Sequence, residues 1–446
     1  MMINRFLVLL VVLAVFVQPA AAFAQNCDVQ AEAIVKLRAP SFGAYNVWDS
    51  VYGEVETHEQ FKSGFVLPTK NLFVAGEHID PDKGDKKSLL LSEIGRNGRV
   101  LWEKQHGVSN LLNIMKMVPH PKGAMIMANI MPSKGRSYIW LGIVNTAGEL
   151  LSHKTIKGGK ADLKGYDLVE AASGKSYVVA AYSEVQGSGQ AGSSVLYRVN
   201  SKGVVFSDQA FVIGSENALQ DIHVMDNGDY MGVGYVYDSY GRKAGWMMRM
   251  NNDLQMIWQQ SYSRGAAAEF AAGYSMLSGT FVAVGTALPA REGNRAGWVA
   301  VVDASSGTVG WQRYFTEGLH LEGRDVMTRK DGIISVLLDG KKDAEAEGAE
   351  HIRLLTLNPR GVLFSGDAYF NGEAVDVYQV MPGAYSERLI VGTTRLAHQI
   401  EAEQTENDKG EKMETGVTRS YEGWVVAAQS ADVYADPCKV QVRELR

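Results

Sequence analysis

The sequence predicts an all-β fold: a seven-bladed β-propeller of four-stranded antiparallel blades, closed by a 3+1 seam joining its N- and C-terminal strands. Three observations predict it. A two-strand unit recurs seven times at intervals of 49 to 72 residues. The half-unit missing at the C-terminal end is found near the N-terminus. Short runs alternating with period two, rich in β-branched residues and separated by Gly-containing turns, replace helical spacing throughout.

The chain opens with a targeting segment, residues 1–24. Arg5 supplies a positive start, Phe6 to Val17 is an unbroken apolar run, and Ala22-Phe23-Ala24 matches a cleavage pattern of small residues. The run is too short to span a bilayer comfortably, and no later stretch reaches the ~18 apolar residues a membrane helix needs. Asn26 before Cys27 argues against a lipid anchor. The expectation is a cleaved signal peptide and a periplasmic or secreted protein.

Residues 25–44 form an N-terminal extension, 45–430 the propeller and 431–446 a C-terminal tail. The recurring unit opens at Ser88, Ser137, Ser194, Gly245, Gly297, His351 and Gly423. Each copy is a strand, a polar turn and a second strand, here named C and D. Between copies lie two further strands, A and B. A is rich in small residues, and B ends near Gly76, Gly234, Gly285 or Gly392. The last C–D pair stops after one strand, near Ser430. The segment from Tyr45 aligns with that from Gln255, matching Trp48 to Trp258 and Gly76 to Gly285, so residues after Tyr45 supply the missing strand. Closure removes every free edge between first and last blade. Cys27 and Cys438 flank this seam, and in an oxidising compartment they would bond the two ends.

Val302 to Trp311, with Gly307 followed four residues later by Trp311, resembles the repeat of bacterial quinoprotein-type (PQQ-like) propellers. Gly98 and Trp102 share the spacing; Gly148, Gly203 and Gly361 are followed by Ser instead. The resemblance implies a propeller in which the Trp docks one blade on the next. It departs from quinoprotein dehydrogenases in blade number and in lacking adjacent cysteines, so no catalytic residue and no quinone cofactor are carried over.

With 446 residues, 46% hydrophobic and a net charge of -6, the chain is globular and lacks the basic footprint of a nucleic-acid binder. Turns alternate between two faces. The A–B and C–D turns on one face are short, whereas the B–C loops opposite are longer and uneven. Lys341 to Glu350 carries four acids and two bases, and Glu401 to Glu422 seven acids and three bases. Those loops belong to neighbouring blades, which predicts a one-sided negative patch for a basic partner or a cation, set against the plainer expectation of a solvated charge run.

Candidate chemistry is sparse. Glu59 and His78 should face each other across a ladder near the channel mouth and are the one metal-ligand candidate, set against an ordinary polar pair. Asp80-Pro81-Asp82 with Gly84 lacks the remaining acids of a calcium loop. Met115, Met117, Met125 and Met127 suggest either soft copper ligation or core filling. Acidic or amide residues near the start of strand A (Glu59, Asp162, Gln220, Glu269, Glu322, Glu373) suggest turn anchoring. No nucleophile elbow, phosphate loop or dinucleotide motif is present. The expected function is a monomeric, exported, non-enzymatic scaffold that binds another envelope or extracellular protein or a ligand. The alternative is an enzyme with a metal-assisted site at Glu59 and His78.

Overall fold

In the computed structural model, the described residues are 31–40, 46–185, 187, 191–263, 265–276, 279–288, 293–385, 387–399 and 417–429. Seven antiparallel blades follow one another in chain order: residues 58–106, 111–156, 162–211, 216–262, 267–316, 320–369 and 374–428. Blade 7 has only three strands from its own segment. Its outermost place is taken by Asn46–Tyr52, antiparallel to Val417–Ala428, with Trp48 opposite Ala427 and Tyr52 opposite Gly423. The head of the chain thus completes the blade its tail begins. Signal segment 1–24, Cys27, Cys438 and tail 431–446 lie outside the described residues, and so does the pairing expected of the two cysteines.

Seven apolar clusters hold the ring, one at each junction between neighbouring blades. The blade 4–5 junction, for example, packs Met231, Val233 and Met247 against Phe270, Phe281 and Trp298. The seam junction between blades 7 and 1 packs Val391 and Val425 against Phe61, Val74 and Leu90. A strand in the middle of a blade is covered on both faces, which is why B and C strands are almost continuously apolar. The methionines serve this packing. Met117 faces blade 1 while Met125 and Met127 face blade 3, so they lie on opposite sides of blade 2 and form no common cluster. Core filling is the reading the structure supports.

The repeat's Gly and Trp turn out to be two halves of one joint. Each C–D turn glycine lies over the outer-strand residue of the preceding blade: Gly98 over Trp48, Gly148 over Trp102, Gly307 over Trp258 and Gly361 over Trp311. A Cβ added at Gly148 would come within 2.4 Å of the Trp102 ring. Side chains farther along the same outer strands then bond the glycine carbonyl, Tyr52 to Gly98 at 2.8 Å, His106 to Gly148 at 2.7 Å and Tyr262 to Gly307 at 2.7 Å. The docking role implied by the resemblance is therefore made across the blade boundary, by a Gly of one repeat and the Trp of the repeat before it.

Two features differ from expectation. Residues 25–44 are more than an extension, because Glu32–Lys36 adds a fifth, parallel strand to the outer edge of blade 5, Ile34 opposite Tyr314. Leu37 then enters the core between blades 5 and 6, and the Arg38 carbonyl accepts from the buried Arg353 guanidinium at 2.6 Å. Lone strands of five residues carry little local signal, since an edge strand is stabilised by the ladder it joins. Second, Gly76, Gly234, Gly285 and Gly392 lie inside strand B, not at its end. Each faces a bulge in strand A whose backbone presses against it; a Cβ at Gly234 would lie 1.9 Å from the Ala218 carbonyl oxygen.

Gly148 and Gly203 share φ of 75°, yet a Cβ at Gly203 would meet nothing nearer than the Lys154 side chain, at 3.4 Å. Both Gly→Ala changes carry the backbone strain, but only Gly148→Ala adds a clash with a half-buried ring. Gly148→Ala is expected to cost about 1–3 kcal/mol more than Gly203→Ala in denaturant unfolding. Equal costs would remove the interlock from the account of the joint.

Candidate functional site

The seven innermost strands surround the axis, and each carries a bulge at the same level. A bulge leaves one residue unpaired and re-aims it. Here the unpaired residues and those just after them line an axial cavity of about 240 Å³. The unpaired set comprises the cations Lys62 and Arg324, the phenols Tyr166 and Tyr378, and Met115, Gln220 and Ala271.

The residue after the bulge ties the ring together. Its side chain accepts a hydrogen bond from a backbone N–H of the next blade: Ser63 from Met117 at 3.1 Å, Asp167 from Ile222 at 3.0 Å, Asp221 from Gly273 at 2.9 Å, Asp325 from Val380 at 2.7 Å and Gln379 from Gly64 at 3.0 Å. Two places in the series cannot accept. Blade 2 has Lys116, which instead pairs with Asp167 at 2.9 Å. Blade 5 has Ala272, and the N–H it would serve, that of Val326, bonds the adjacent Asp325 at 2.8 Å. The fold thus demands buried acceptors here, and the charge they bring is a by-product.

That charge is unbalanced. Three carboxylates, Asp167, Asp221 and Asp325, share the ammonium of Lys116. Burial pulls the Lys116 pKa down, but the three carboxylates outweigh it and hold it above its ordinary value. Burial, then repulsion from Asp167, pushes Asp221 well above the usual carboxylate range. Asp325 rises to about 6, chiefly by burial. On the other wall, Lys62 donates to the Tyr378 hydroxyl at 2.7 Å and has its pKa lowered by burial. Arg324 pairs with Glu322 at 3.0 Å and with the buried Asp339, whose own pKa burial lifts to about 6.

Glu59 and His78 are brought together as expected, directly opposite in register with Nδ1 of His78 2.7 Å from Oε1 of Glu59. The carboxylate is engaged further: the Thr57 hydroxyl donates to it at 2.6 Å and the Glu54 N–H at 3.2 Å. Among the described residues, no group of three or more His, Cys, Asp or Glu side chains is arranged to hold a metal ion. The Asp80 segment is a capped turn, its carboxylate accepting from the Lys83 N–H at 3.3 Å. The acids singled out near the start of strand A sit at unequal distances from the bulge and do not form a ring. Several anchor loops, as expected: Asp162 holds Ser137 and Arg136 of the preceding blade, Glu269 holds Lys243, and Glu322 holds Arg295. Gln220 is itself a bulge residue on the axis, and in the other five blades the bulge residues lie two to five positions beyond the residues singled out. Their signal was the aligned series Tyr166-Asp167-Leu168, Gln220-Asp221-Ile222, Arg324-Asp325-Val326 and Tyr378-Gln379-Val380.

On the loop-bearing face, blades 6 and 7 stand out. The acidic segment after Lys341 is pinned, Ala349 pairing with Val375 of blade 7 through bonds of 2.7 and 2.9 Å. The B and C strands of blade 7, Arg388–Gln399 and Val417–Ala428, have 12 residues each, where other blades have seven to nine. Their extra length is an arm projecting from the face, braced at its root by Glu373 bonding Arg419 at 2.8 Å. Between arm and acidic loop lies a second cavity, of about 350 Å³, lined by Glu347, Asp376, Arg395 and Tyr421 among others.

No family model matches the chain, and no curated protein does. Solved structures with a similar fold include a protein of unknown function from Bacteroides caccae (14% identity, 63% of this chain and 90% of that one, TM-score 0.40). Another is the Neurospora crassa Pan2 WD40 domain (10% identity, 85% and 98%, TM-score 0.45). A third is puromycin hydrolase (13% identity, 85% and 55%, TM-score 0.47), of which this chain spans about half. Likenesses this distant carry nothing about activity, and the propeller rests on its own sheet topology.

Two outcomes test the site's electrostatics. A carboxyl whose native pKa is raised binds its proton more tightly folded than unfolded, so its effect on stability worsens as pH rises through the native value. Asp221→Asn is therefore expected to gain in stability on the parent as pH rises from about 4, the ordinary carboxylate value; a gap independent of pH would contradict the raised Asp221. Glu59→Gln is expected to cost about 1–2 kcal/mol in unfolding, because one amide oxygen replaces the two that serve Thr57, Glu54 and His78. A rise in melting temperature with Zn²⁺ that this change abolishes would instead assign the pair to a metal.

Proposed function

We propose that this protein is an exported, non-enzymatic scaffold that binds another envelope or extracellular protein through its loop-bearing face. One observation carries the reading: the two acid-rich B–C segments belong to adjacent blades, one pinned by the Ala349–Val375 bridge and the other joining, in the chain, the two long strands of blade 7. The opposite face has short turns, four of which interlock with the preceding blade through a glycine over a tryptophan. A rigid platform with uneven loops on one side is the usual arrangement of a binding module. Acidic side chains held close together attract a basic partner and speed its arrival in a salt-dependent way. Residues 401–416, between the arm's strands, contain six acids and two bases. Export is supported by the apolar start and the Ala22-Phe23-Ala24 pattern alone. The PQQ-like repeat enters as a kinship of construction, since its Gly and Trp are spent on blade docking.

The test is capture from the native host's envelope fraction, with three baits: the intact chain, a variant with 401–416 replaced by a short Gly-Ser turn, and Glu345→Lys/Glu347→Lys. A basic protein retained by the intact chain, lost with both variants and released by added salt is the expected result. Retention by both variants overturns the assignment to this face.

A further inference from the structure

The axial cavity holds charges that the ring's own construction does not pair. Asp221 and Asp325, on blades 4 and 6, feel the Lys116 ammonium only at longer range and have no Lys, Arg or His within salt-bridge distance among the described residues. Blade 5, between them, contributes Ala271 and Ala272, so the wall is recessed where two carboxylates flank it. Round the ring from there is blade 1, whose Lys62 ammonium donates to the phenol of Tyr378 and, among the described residues, has no carboxylate within salt-bridge distance. Gln220, bonded through its Nε2 to Glu269, lines the cavity between these groups.

A bare metal ion is a poor fit. No three-ligand group is present among the described residues, and Lys116 faces the same space. A purely anionic molecule would meet three carboxylates. What satisfies both walls is one molecule carrying both signs. We propose that the axial cavity binds a small organic zwitterion, its ammonium seated at the blade 5 recess between Asp221 and Asp325 and its carboxylate on Lys62. The pairing is physically favourable because each charge of the ligand meets an unneutralised partner that the packed ring already holds in place, so little ordering is needed on the protein side. The recess itself follows from the repeat: blade 5 is the one described blade with no polar group at either of these two positions. The inference stands apart from the loop-face reading, as the two sites share no residue.

The experiment titrates the intact chain with ω-amino acids of increasing length, from glycine to 6-aminohexanoate, and with hexylamine and hexanoate as single-charge controls. Binding is read by melting-temperature shift and calorimetry. The expected result is that one length of the zwitterion series binds best, with hexylamine weaker by about tenfold or more and hexanoate without effect. Asp221→Asn keeps an oxygen for the Gly273 N–H and should weaken the best zwitterion and hexylamine alike, by about tenfold. Asp325→Asn provides an independent check of the same wall. Lys62→Met should weaken the zwitterion to the level of hexylamine and leave hexylamine unchanged. No binding by any zwitterion, or binding indifferent to Asp221→Asn and Lys62→Met in folded variants, overturns the proposal. So does hexanoate binding as well as the zwitterions.

Discussion

Seven similar sheets form this ring with each innermost strand set against the next at a constant offset. At five of the seven junctions the bulge and the acceptor after it fix that offset. A side-chain oxygen of one blade takes a backbone N–H of the next, five times round the axis, in a place where an unpaired N–H would be costly. Because backbone donors attract oxygen acceptors, the residues suited to this are Asp, Gln and Ser. The axis thereby acquires negative charge that packing alone would never place there. Lys116 and the perturbed carboxylates around it follow from the same constraint.

The outer circumference is joined by a different chemistry. Indole rings slide under turn glycines, and tyrosine, histidine or arginine side chains bond the glycine carbonyls. Inner joints are polar and directional; outer joints are chiefly shape and apolar area. The ring closes at blade 7, where two segments from opposite ends of the chain must meet. There the strand Asn46–Tyr52 brings Trp48 and Tyr52 into the positions that any other blade's own last strand would fill. The N-terminal strap then reinforces the stretch leading to the seam, through a parallel strand on blade 5, Leu37 in the next junction and the Arg38 carbonyl on Arg353. Arg353 also pairs with Glu317, itself bonded to His351, so the strap reaches a buried polar network between blades.

This division explains where function can reside. One face is occupied by turns that hold the blades together, and the rim of the other is built from ion pairs that fasten loop ends, such as Asp162 with Arg136 and Glu322 with Arg295. What remains free of structural duty is the acid-rich side formed by blades 6 and 7, and the recess on the axis at blade 5. Neither resembles a catalytic constellation in which a nucleophile, a base and an orienting group converge.

Much of this protein was determined by its sequence alone. Blade number, the seam with Trp48 and Gly76 in register with their counterparts, the docking tryptophans and the face carrying the long loops all follow from a repeat that each blade must satisfy locally. The Glu59–His78 contact was legible too, because opposite residues in a hairpin are fixed by the turn between the strands. Tertiary structure decided the rest. The bulges were hidden because one inserted residue shifts the pairing without altering composition, and so Asp221 and Asp325 passed unmarked although their neighbours Gln220 and Glu322 were singled out. The parallel strand Glu32–Lys36 owes its place to an edge supplied by residues almost 300 positions later. Which charges go unpaired on the axis depends on distances between seven blades, and no local pattern encodes a distance between strands so far apart in the chain.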